Sequence, residues 1–424
     1  MQVYPGRLTT RRAPHGLQSL DLGFLGGTLD SRLTFTRASA ATYFNSSGVL
    51  SSATSGTPRF DFNPVTGAPN GLFVEALAAT NQFVPSTNWV ANSTVSTTVT
   101  GHTQNAAVAP DGTTTAELFI PFTTSGNQQV YTVPSLTVSS GYAFSVYMKA
   151  AGYNYAYLSL TNTGWTAVQT ASFNLSSGTI AAQSANGTAA IQAVGNGWYR
   201  CSVTGTTAAS GATVLDVIPS VTGADAGVFA GNGTSGILVW GAQAEIGAQP
   251  SSYIPTTTVS VTRAAEALTI PVGSWFVQSQ GSLAVEWALL QRGSLYGAPV
   301  ALVGSNTATD YIDVDEMTGA TPSYSVDTVS VAGVSTAATF TAASIPYGTP
   351  VKGAVSWSVG GYTQGAHNGI SAAQSAAVLA STPAMTSLNV GAAMHYQTAS
   401  SLYIRRVRYW PRQQGATELA SNTL

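Results

Sequence analysis

The scarcity of charge is the feature that most constrains what this chain can fold into. Only 8% of its 424 residues are Asp, Glu, Lys or Arg, against roughly a quarter in an ordinary soluble protein. Thr, Ser, Asn, Gly and Ala take their place, and no run approaches the ~18 apolar residues that a membrane-spanning helix needs. Thr favours strands, while Gly, Asn and Ser suit the turns between them. The composition therefore predicts an all-β protein with an uncharged polar surface and no membrane insertion.

Length and net charge limit the classes of protein further. A chain of 424 residues is long enough for two or three domains with more than one core. Its formal net charge of −2 gives no electrostatic reason for binding DNA or RNA, because nucleic acids require a basic surface that follows the phosphates. We therefore expect no nucleic-acid partner.

The single cysteine, Cys201, excludes an intramolecular disulfide and any metal site built from several cysteines. Strand alternation places Cys201 on the same face as Tyr199 and Val203, which predicts a buried and inert thiol. Trp198 and Trp240 also occupy strand positions that indicate the core. The fold must therefore be held by packing, with oligomerisation as a further contribution.

Turn residues and strand periodicity predict the domain organisation. Short apolar runs alternate with turn chemistry over 20–81, which indicates hairpins. In Tyr142–Lys149, alternate residues from Tyr142 to Met148 face one way, which predicts a half-buried strand. A stretch with two prolines at 247–256 marks a boundary, strands resume after it, and a brief helix is expected around Glu418 and Leu419. We predict a small N-terminal hairpin region with an arm (1–82), a jelly roll (83–250), a linker (251–264) and a second antiparallel β-sandwich (265–424).

Three N-terminal stretches carry a resemblance to a known group of proteins. They are LTFTRASAATY at 33–43, PRFDFNP at 58–64 and GLFVE at 71–75. Together they resemble the N-terminal region of bacteriophage and prophage virion spike and fibre proteins, including those of gene-transfer-agent-like particles.

Two later stretches extend this resemblance over most of the chain. VWGAQAE at 239–245, followed by SYIPT at 252–256, is similar to the carbohydrate-binding-module-type jelly roll of those virion proteins. LYIRRVRYWPR at 402–412 resembles the last strand of concanavalin A-like, laminin G-like sandwiches. Members of these groups often have a regular helix after that strand, whereas Gln413, Gln414 and Gly415 loosen the turn here.

The resemblance implies a virion surface protein, either a head spike or a tail fibre subunit. Its N-terminal region would attach to capsid or tail proteins, and its sandwiches would bind host cell-surface glycan. Arg7, Arg11 and Arg12 are candidates for virion docking, with a frayed terminus as the alternative. The N-terminus lacks the apolar stretch of a secretory signal, so we expect release inside assembled particles. The weakly charged surface also favours a closed homo-oligomer.

Aromatic side chains are the candidate glycan-binding residues, because sugars stack on aromatic faces. Tyr153, Tyr155 and Tyr157 alternate with Ala156, Leu158 and Leu160, so a tyrosine stripe lies outside if the aliphatic face is core. The alternative is that the tyrosines pack under a loop or against a neighbouring subunit. The remaining candidates are Trp165, which would complete the stripe, and a second group near a glycine-rich loop: Trp357, Tyr362 and His367.

An acidic cluster is the candidate for a cation site or for catalysis. It comprises Asp310, Asp313, Asp315 and Glu316, and a strand would place Asp313 and Asp315 on one face, as a Ca²⁺ site requires. A solvated strand edge is the interpretation we favour. No nucleophile or phosphate-binding motif occurs. We therefore expect no enzyme activity and no cofactor other than Ca²⁺, with a capsule-depolymerising glycoside hydrolase and a purely structural capsid decoration protein as alternatives.

The C-terminal strand carries the one basic group of the chain. Arg405, Arg406, Arg408 and Arg412 place arginine on both faces of that strand. Such a pattern predicts an edge, a bulge or a buried ion pair.

Overall fold

A computed structural model describes residues 18–89, 95–97, 101–185, 187–225, 227–291, 296–318, 322–340, 347–391 and 401–424. The fold is all β, with 51% of residues in strands and 2% in helix, which confirms the prediction from composition. Arg7, Arg11 and Arg12 lie outside the described residues. Within the described ranges, no helix combines the length and apolar character needed to cross a membrane.

Seven short strands lie in the described part of the N-terminal segment, from residue 18 onward. They are β1 (Leu20–Gly23), β2 (Thr34–Thr36), β3 (Ala41–Phe44), β4 (Leu50–Ala53), β5 (Arg59–Phe62), β6 (Pro69–Glu75) and β7 (Ala79–Asn81).

The described residues in the middle of the chain form fourteen strands. They are β8 (Val95–Thr97), β9 (Gly101–Ala107), β10 (Ala116–Ile120), β11 (Gly126–Asn127), β12 (Val130–Thr132), β13 (Gly141–Ala151), β14 (Tyr155–Thr161), β15 (Gln169–Asn174), β16 (Thr179–Gln183), β17 (Ala189–Ala193), β18 (Tyr199–Thr206), β19 (Val214–Ser220), β20 (Val228–Phe229) and β21 (Gly236–Ile246).

In the C-terminal part, the residues that the structure describes form twelve strands and a helix. They are β22 (Val261–Arg263), β23 (Ala267–Pro271), β24 (Gln280–Gln291), β25 (Tyr296–Gly304), β26 (Tyr311–Thr318), β27 (Pro322–Val331), β28 (Val334–Phe340), β29 (Pro350–Ser358), β30 (Gln364–His367), β31 (Ile370–Ser371), β32 (Met385–Val390), β33 (Ser401–Trp410) and α1 (Ala416–Ser421).

The middle strands form a sandwich of two six-stranded antiparallel sheets. One sheet has the order β17-β18-β13-β21-β10-β9, and the other has the order β16-β15-β14-β19-β12-β8. The core between them contains Tyr142, Phe144, Val146 and Met148 of β13 together with Cys201 of β18. The alternation read from the sequence, and the burial of Cys201, are therefore confirmed.

Strand β13 is buried on both faces, so the prediction of a half-buried strand is wrong. Ser145 is completely buried, and Tyr147 is 1% exposed. Tyr147 packs edge-on against Trp240 and Tyr253, with ring centroids 5.4 and 5.9 Å away. Leu50 of the N-terminal segment joins the same apolar cluster. A second layer of chain therefore covers the face that strand periodicity alone assigns to solvent.

The N-terminal segment is part of the C-terminal sandwich, which differs from the predicted division. β1, β5 and β6 belong to the eight-stranded sheet β31-β30-β29-β24-β33-β6-β5, with β1 paired to β33. β2 begins the seven-stranded sheet β2-β23-β32-β25-β26-β27-β28. Leu20 and Leu72 share one core with Leu268, Trp287 and Tyr409. The jelly roll is thus inserted between β7 and β22, which pair with each other.

The first part of the predicted linker is packed against the rest of the protein, whereas 257–262 are exposed. Ser251, Ser252, Tyr253 and Ile254 are each less than 9% exposed. Ser251 donates hydrogen bonds to both carboxylate oxygens of Glu245, at 2.6 Å each. The segment therefore fixes the jelly roll against the sandwich.

A buried ion cluster joins the N-terminal strands to the C-terminal ones. Glu266 accepts hydrogen bonds from Arg37 Nη1 at 2.7 Å and from Arg59 Nη2 at 2.6 Å. Arg59 also pairs with Glu75 at 2.8 Å, and Arg263 lies 3.0 Å from Glu75. Burial alone would raise the pKa of Glu75, but the charges of Arg263 and Arg59 lower it to about 2. Each charged side chain of the cluster thus has an oppositely charged partner within the protein, without help from solvent.

Two C-terminal predictions are also confirmed. Helix α1 contains Glu418 and Leu419, and β33 has a bulge at Arg405, where the register to β24 shifts between Glu286 and Trp287. The extra residue allows Arg405 to pair with Glu286 at 3.3 Å and Arg406 with Asp21 at 2.5 Å.

The predicted burial of Trp198 and Trp240 is confirmed, because these side chains lie in the core at 2% and 3% exposure.

Thiol reactivity tests the burial of Cys201. Burial raises the pKa of the thiol well above its usual value, and the side chain is fully inaccessible. We expect a thiol reagent to leave the native protein unlabelled and to react stoichiometrically once denaturant has unfolded the jelly roll. Mass spectrometry of labelled protein checks this, and rapid labelling without denaturant would contradict it.

Candidate functional site

The candidate site is a groove of about 580 Å³ on the outer face of the jelly-roll sheet that contains β14, β19 and β12. Ala156, Leu158 and Leu160 of β14 point into the core, so Tyr157 and Ser159, one residue out of phase, face the groove. This confirms that the aliphatic face of the strand is core.

Strand register aligns polar side chains across the floor of the groove. Asp216 of β19 lies opposite Ser159 on one side and opposite Tyr131 of β12 on the other. Ser159 in turn lies opposite Thr170 of β15. All four side chains line the groove. A continuous row of hydrogen-bonding groups, ending in a tyrosine ring, therefore crosses four strands.

Asp216 is the centre of this row. The residue is 2% exposed, and its Oδ2 accepts a hydrogen bond of 2.8 Å from Thr161 Oγ1. Its Oδ1 is buried and has no hydrogen-bond partner among the described residues. Burial raises the pKa of Asp216 to about 6, against the lowering effect of the Thr161 bond. Asp216 is therefore mostly ionised at neutral pH, and its environment opposes that charge.

The predicted tyrosine stripe lies under a loop, which is the alternative stated for it. Tyr157 is 9% exposed, and its hydroxyl donates to the carbonyl oxygen of Gly223 at 2.5 Å. A Cβ at Gly223 would lie 2.6 Å from the Tyr155 ring, so only glycine allows this approach. Asp225 holds the loop by accepting hydrogen bonds from the amides of Val221 and Thr222. Tyr157 reaches the groove, but the stripe is not an open platform.

Tyr153 and Trp165 belong to the core of the jelly roll, so the prediction that they extend the stripe is corrected. Tyr153 packs edge-on against Phe229 at 5.6 Å and accepts a hydrogen bond from the amide of Asn232. Trp165 is 5% exposed and packs against Tyr142. Both rings contribute their area to packing between the sheets and the adjoining loops.

The second aromatic group is not brought together at the surface. Trp357 is completely buried beside Tyr409, and His367 is 5% exposed with its ring edge-on to Trp287 at 6.0 Å. Tyr362 is 40% exposed. The predicted rim therefore reduces to Tyr362, because alternation along β29 and β30 directs the other two rings inward.

The interpretation of the acidic cluster as a solvated strand edge is wrong. β26 pairs with β25 on one side and β27 on the other, and Asp313 is completely buried. The side chain of Asp315 lies outside the described residues. Across the described ranges, no three His, Cys, Asp or Glu side chains are grouped as a metal site requires.

Sequence reasoning missed Asp216 and Tyr131 as site residues. One signal was present: Asp216 is a lone carboxylate within the apolar run VLDVI at 214–218, in a chain with 17 acidic residues. Tyr131 gave no comparable signal, because only the pairing of β12 with β19 places it beside Asp216.

Comparisons with known proteins give low similarity scores. No protein-family model matches the chain, and no curated protein matches it. Among solved structures, the binding domain of botulinum neurotoxin serotype G is 12% identical with a TM-score of 0.30, over 37% of this chain and 39% of that one. The CBM40 domain of the Ruminococcus gnavus IT-sialidase is 10% identical with a TM-score of 0.28, over 35% of this chain and 84% of that one. The NanB sialidase of Streptococcus pneumoniae is 10% identical with a TM-score of 0.29, over 36% of this chain and 26% of that one.

Proposed function

We propose that this chain binds a host cell-surface glycan through the groove centred on Asp216. The observation that carries the proposal is Asp216, which lines the groove and whose buried Oδ1 has no hydrogen-bond partner among the described residues. A sugar hydroxyl can donate to such an oxygen, and a charge-assisted hydrogen bond of this kind is among the stronger ones. Sites that oppose their own ionisation are candidates for function.

The rest of the groove has the chemistry that a saccharide requires. Tyr131 and Tyr157 offer ring surface, and Ser159, Thr161 and Thr170 offer hydroxyls. The volume of about 580 Å³ lies within the usual range for small-molecule sites. Apolar sugar faces and sugar hydroxyls thus both have complementary groups.

Binding without turnover is the form of this proposal that the groove supports. Glycoside hydrolysis requires two carboxyl groups on either side of one bond, and Asp216 is the one carboxylate among the described lining residues. A reducing-sugar assay on host capsule tests this. Sugar release that disappears in Asp216→Asn would favour the depolymerase instead.

We extend the proposal to a phage-type virion surface protein, either head spike or tail fibre, that is carried as a homo-oligomer. Its support is the resemblance of the stretches at 33–43, 58–64 and 239–245 to such proteins and the weakly charged composition. Capsid or tail proteins would then be its partners, and the virion surface its location. Electron microscopy of particles carrying the labelled protein shows whether it is attached to the head or to the tail. Native mass spectrometry measures the number of copies in the oligomer. A structural decoration protein would show the label without glycan binding.

Replacing Tyr131 with Ala tests the groove directly. Tyr131 is only partly buried and ends the polar row, so its loss should remove a stacking surface and weaken binding by about 1–2 kcal/mol, or roughly 5- to 30-fold. Isothermal titration with the best-binding host oligosaccharide gives the dissociation constant.

Tyr362→Ala is the matched control for that substitution. Tyr362 is 40% exposed and belongs to the other predicted site, on the C-terminal sandwich. We expect unchanged affinity. The reverse pattern, with Tyr362→Ala weakening binding and Tyr131→Ala neutral, would contradict the groove and favour the C-terminal rim.

A further inference from the structure

We propose that the groove accepts neutral saccharides and rejects acidic ones, because the one charged group among its described lining residues is the carboxylate of Asp216. This inference rests on the proposed function and specifies the class of glycan. It is carried by the charge distribution around the groove and by the hydrogen bonds that Asp216 already makes.

The jelly roll offers almost no cation to an acidic ligand. Across residues 83–250 the only Lys and Arg are Lys149 and Arg200, and both lie on the other sheet, in β13 and β18. Arg200 is engaged there, since it donates to the carbonyl oxygen of Ser251 at 2.6 Å and its guanidinium lies 5.4 Å from the Tyr147 ring centroid. Its register position opposite Tyr147 and Gln192 keeps it in the other sheet of the sandwich.

The histidine of the jelly roll is equally remote. His102 lies on β9, the edge strand of the sheet that also contains β13 and β18. Its Nε2 is 2.5 Å from Glu117 Oε2. The described residues that line the groove therefore include one charged group, Asp216, and no Lys, Arg or His. Carboxylate ligands are usually bound by arginine or other positive groups.

The two oxygens of Asp216 define what the ligand must supply. Oδ2 already accepts from Thr161, whereas the hydrogen-bonding capacity of the buried Oδ1 is unused among the described residues. A ligand hydroxyl can donate a hydrogen bond to the carboxylate of Asp216, whereas a ligand carboxylate cannot and is repelled by it in this partly desolvated site. The carboxyl of Asp216 thus provides attraction for one class and repulsion for the other, which is how specificity is commonly built.

The titration of Asp216 gives a second readout. Burial raises its pKa to about 6, and the other titratable side chains that line the groove are Tyr131 of β12 and Tyr157 of β14. Below this pKa a protonated Asp216 carries no charge and can itself donate. Discrimination against acidic saccharides should therefore be strong near pH 8 and decrease near pH 5.

Matched pairs of oligosaccharides test the inference. The probes are neutral hexose oligosaccharides and their counterparts in which the C6 hydroxymethyl is oxidised to a carboxylate, arrayed first and then titrated. We expect the acidic member to bind at least about 30-fold more weakly near pH 8, and Asp216→Asn to reduce that ratio to below about threefold. Asp111→Asn, on a jelly-roll loop outside the groove lining, is the control and should keep the wild-type ratio.

The outcomes separate the inference from the proposed function. If the wild type binds neither member of any pair, or binds with an affinity that Tyr131→Ala does not change, glycan binding in the groove is wrong. If binding depends on Tyr131 but acidic members bind as well as neutral ones, or Asp216→Asn keeps the wild-type ratio, only the inference is overturned. Thermal unfolding of each variant verifies that it is folded.

Discussion

Replacing Glu266 with Gln should lower the free energy of unfolding by about 3–5 kcal/mol at neutral pH. Glu266 accepts hydrogen bonds from Arg37, from Arg59 and from the backbone amide of Glu75. The ion pairs that Glu266 makes with Arg37 and Arg59 are completely buried. Gln would remove the carboxylate that pairs with Arg37 and would leave Arg59 and Arg263 facing Glu75 alone, and a buried charge without compensation is costly. Chemical denaturation monitored by fluorescence measures the difference.

The control for this substitution is Arg32→Gln. Arg32 pairs with Asp30 at 2.7 Å, but its side chain is 44% exposed. Solvent-exposed pairs contribute little, so a change below about 1 kcal/mol is expected. Similar losses in both variants would show that the cluster has no special role in holding the N-terminal strands to the C-terminal ones.

Acid should weaken the same cluster. The pKa of Glu75 is lowered from its ordinary 4.5 to about 2. As pH falls, Glu75 is therefore protonated in the unfolded chain at a higher pH than in the folded protein. The stabilisation from ionised Glu75 is therefore complete above pH ~4.5 and is lost as pH falls toward 2.

Asp216→Asn should have the opposite sign and stabilise the protein at neutral and alkaline pH. The pKa of Asp216 is raised from 3.8 to about 6, so its ionisation is less favourable in the folded state. Each pKa unit corresponds to about 1.4 kcal/mol, and the full shift to about 3 kcal/mol. Relative to wild type, the stability of Asp216→Asn should increase by about 2–3 kcal/mol between pH 4 and pH 8.

Denaturation at a series of pH values measures this gap. The Asn oxygen can still accept from Thr161, so the hydrogen bond at 2.8 Å is retained. Asp111→Asn should leave the pH dependence unchanged. A gap for Asp216→Asn that stays constant with pH would mean that the folded state does not oppose the charge of Asp216.

These two results would distinguish two uses of buried charge in one chain. The cluster around Arg59 and Glu266 is compensated internally and contributes to structure. Asp216 is not compensated, and stability sacrificed at such a position is typical of binding sites. A variant that is more stable and binds glycan less well would support the functional assignment of the groove.

The sequence by itself determined the fold class, most strand positions and the core face of the jelly roll. These features depend on local pattern: strand alternation places Phe144, Leu158 and Cys201 inward whatever the strands pair with. The helix at Ala416–Ser421 was likewise predicted from residues close together in the chain. A bulge in the last strand was one of three alternatives that its arginine pattern predicted.

Tertiary structure alone decided which segments share a sheet and which faces are exposed. Leu72 pairs with Ile404, more than three hundred positions away, and strand periodicity carries no information about such partners. A loop at Gly223 covers Tyr157, although alternation placed that ring outside. Asp216 becomes the centre of a groove only because β12 and β14 flank β19. Burial and the raised pKa of its carboxyl follow from that assembly, because desolvation depends on every neighbour and not on the strand alone.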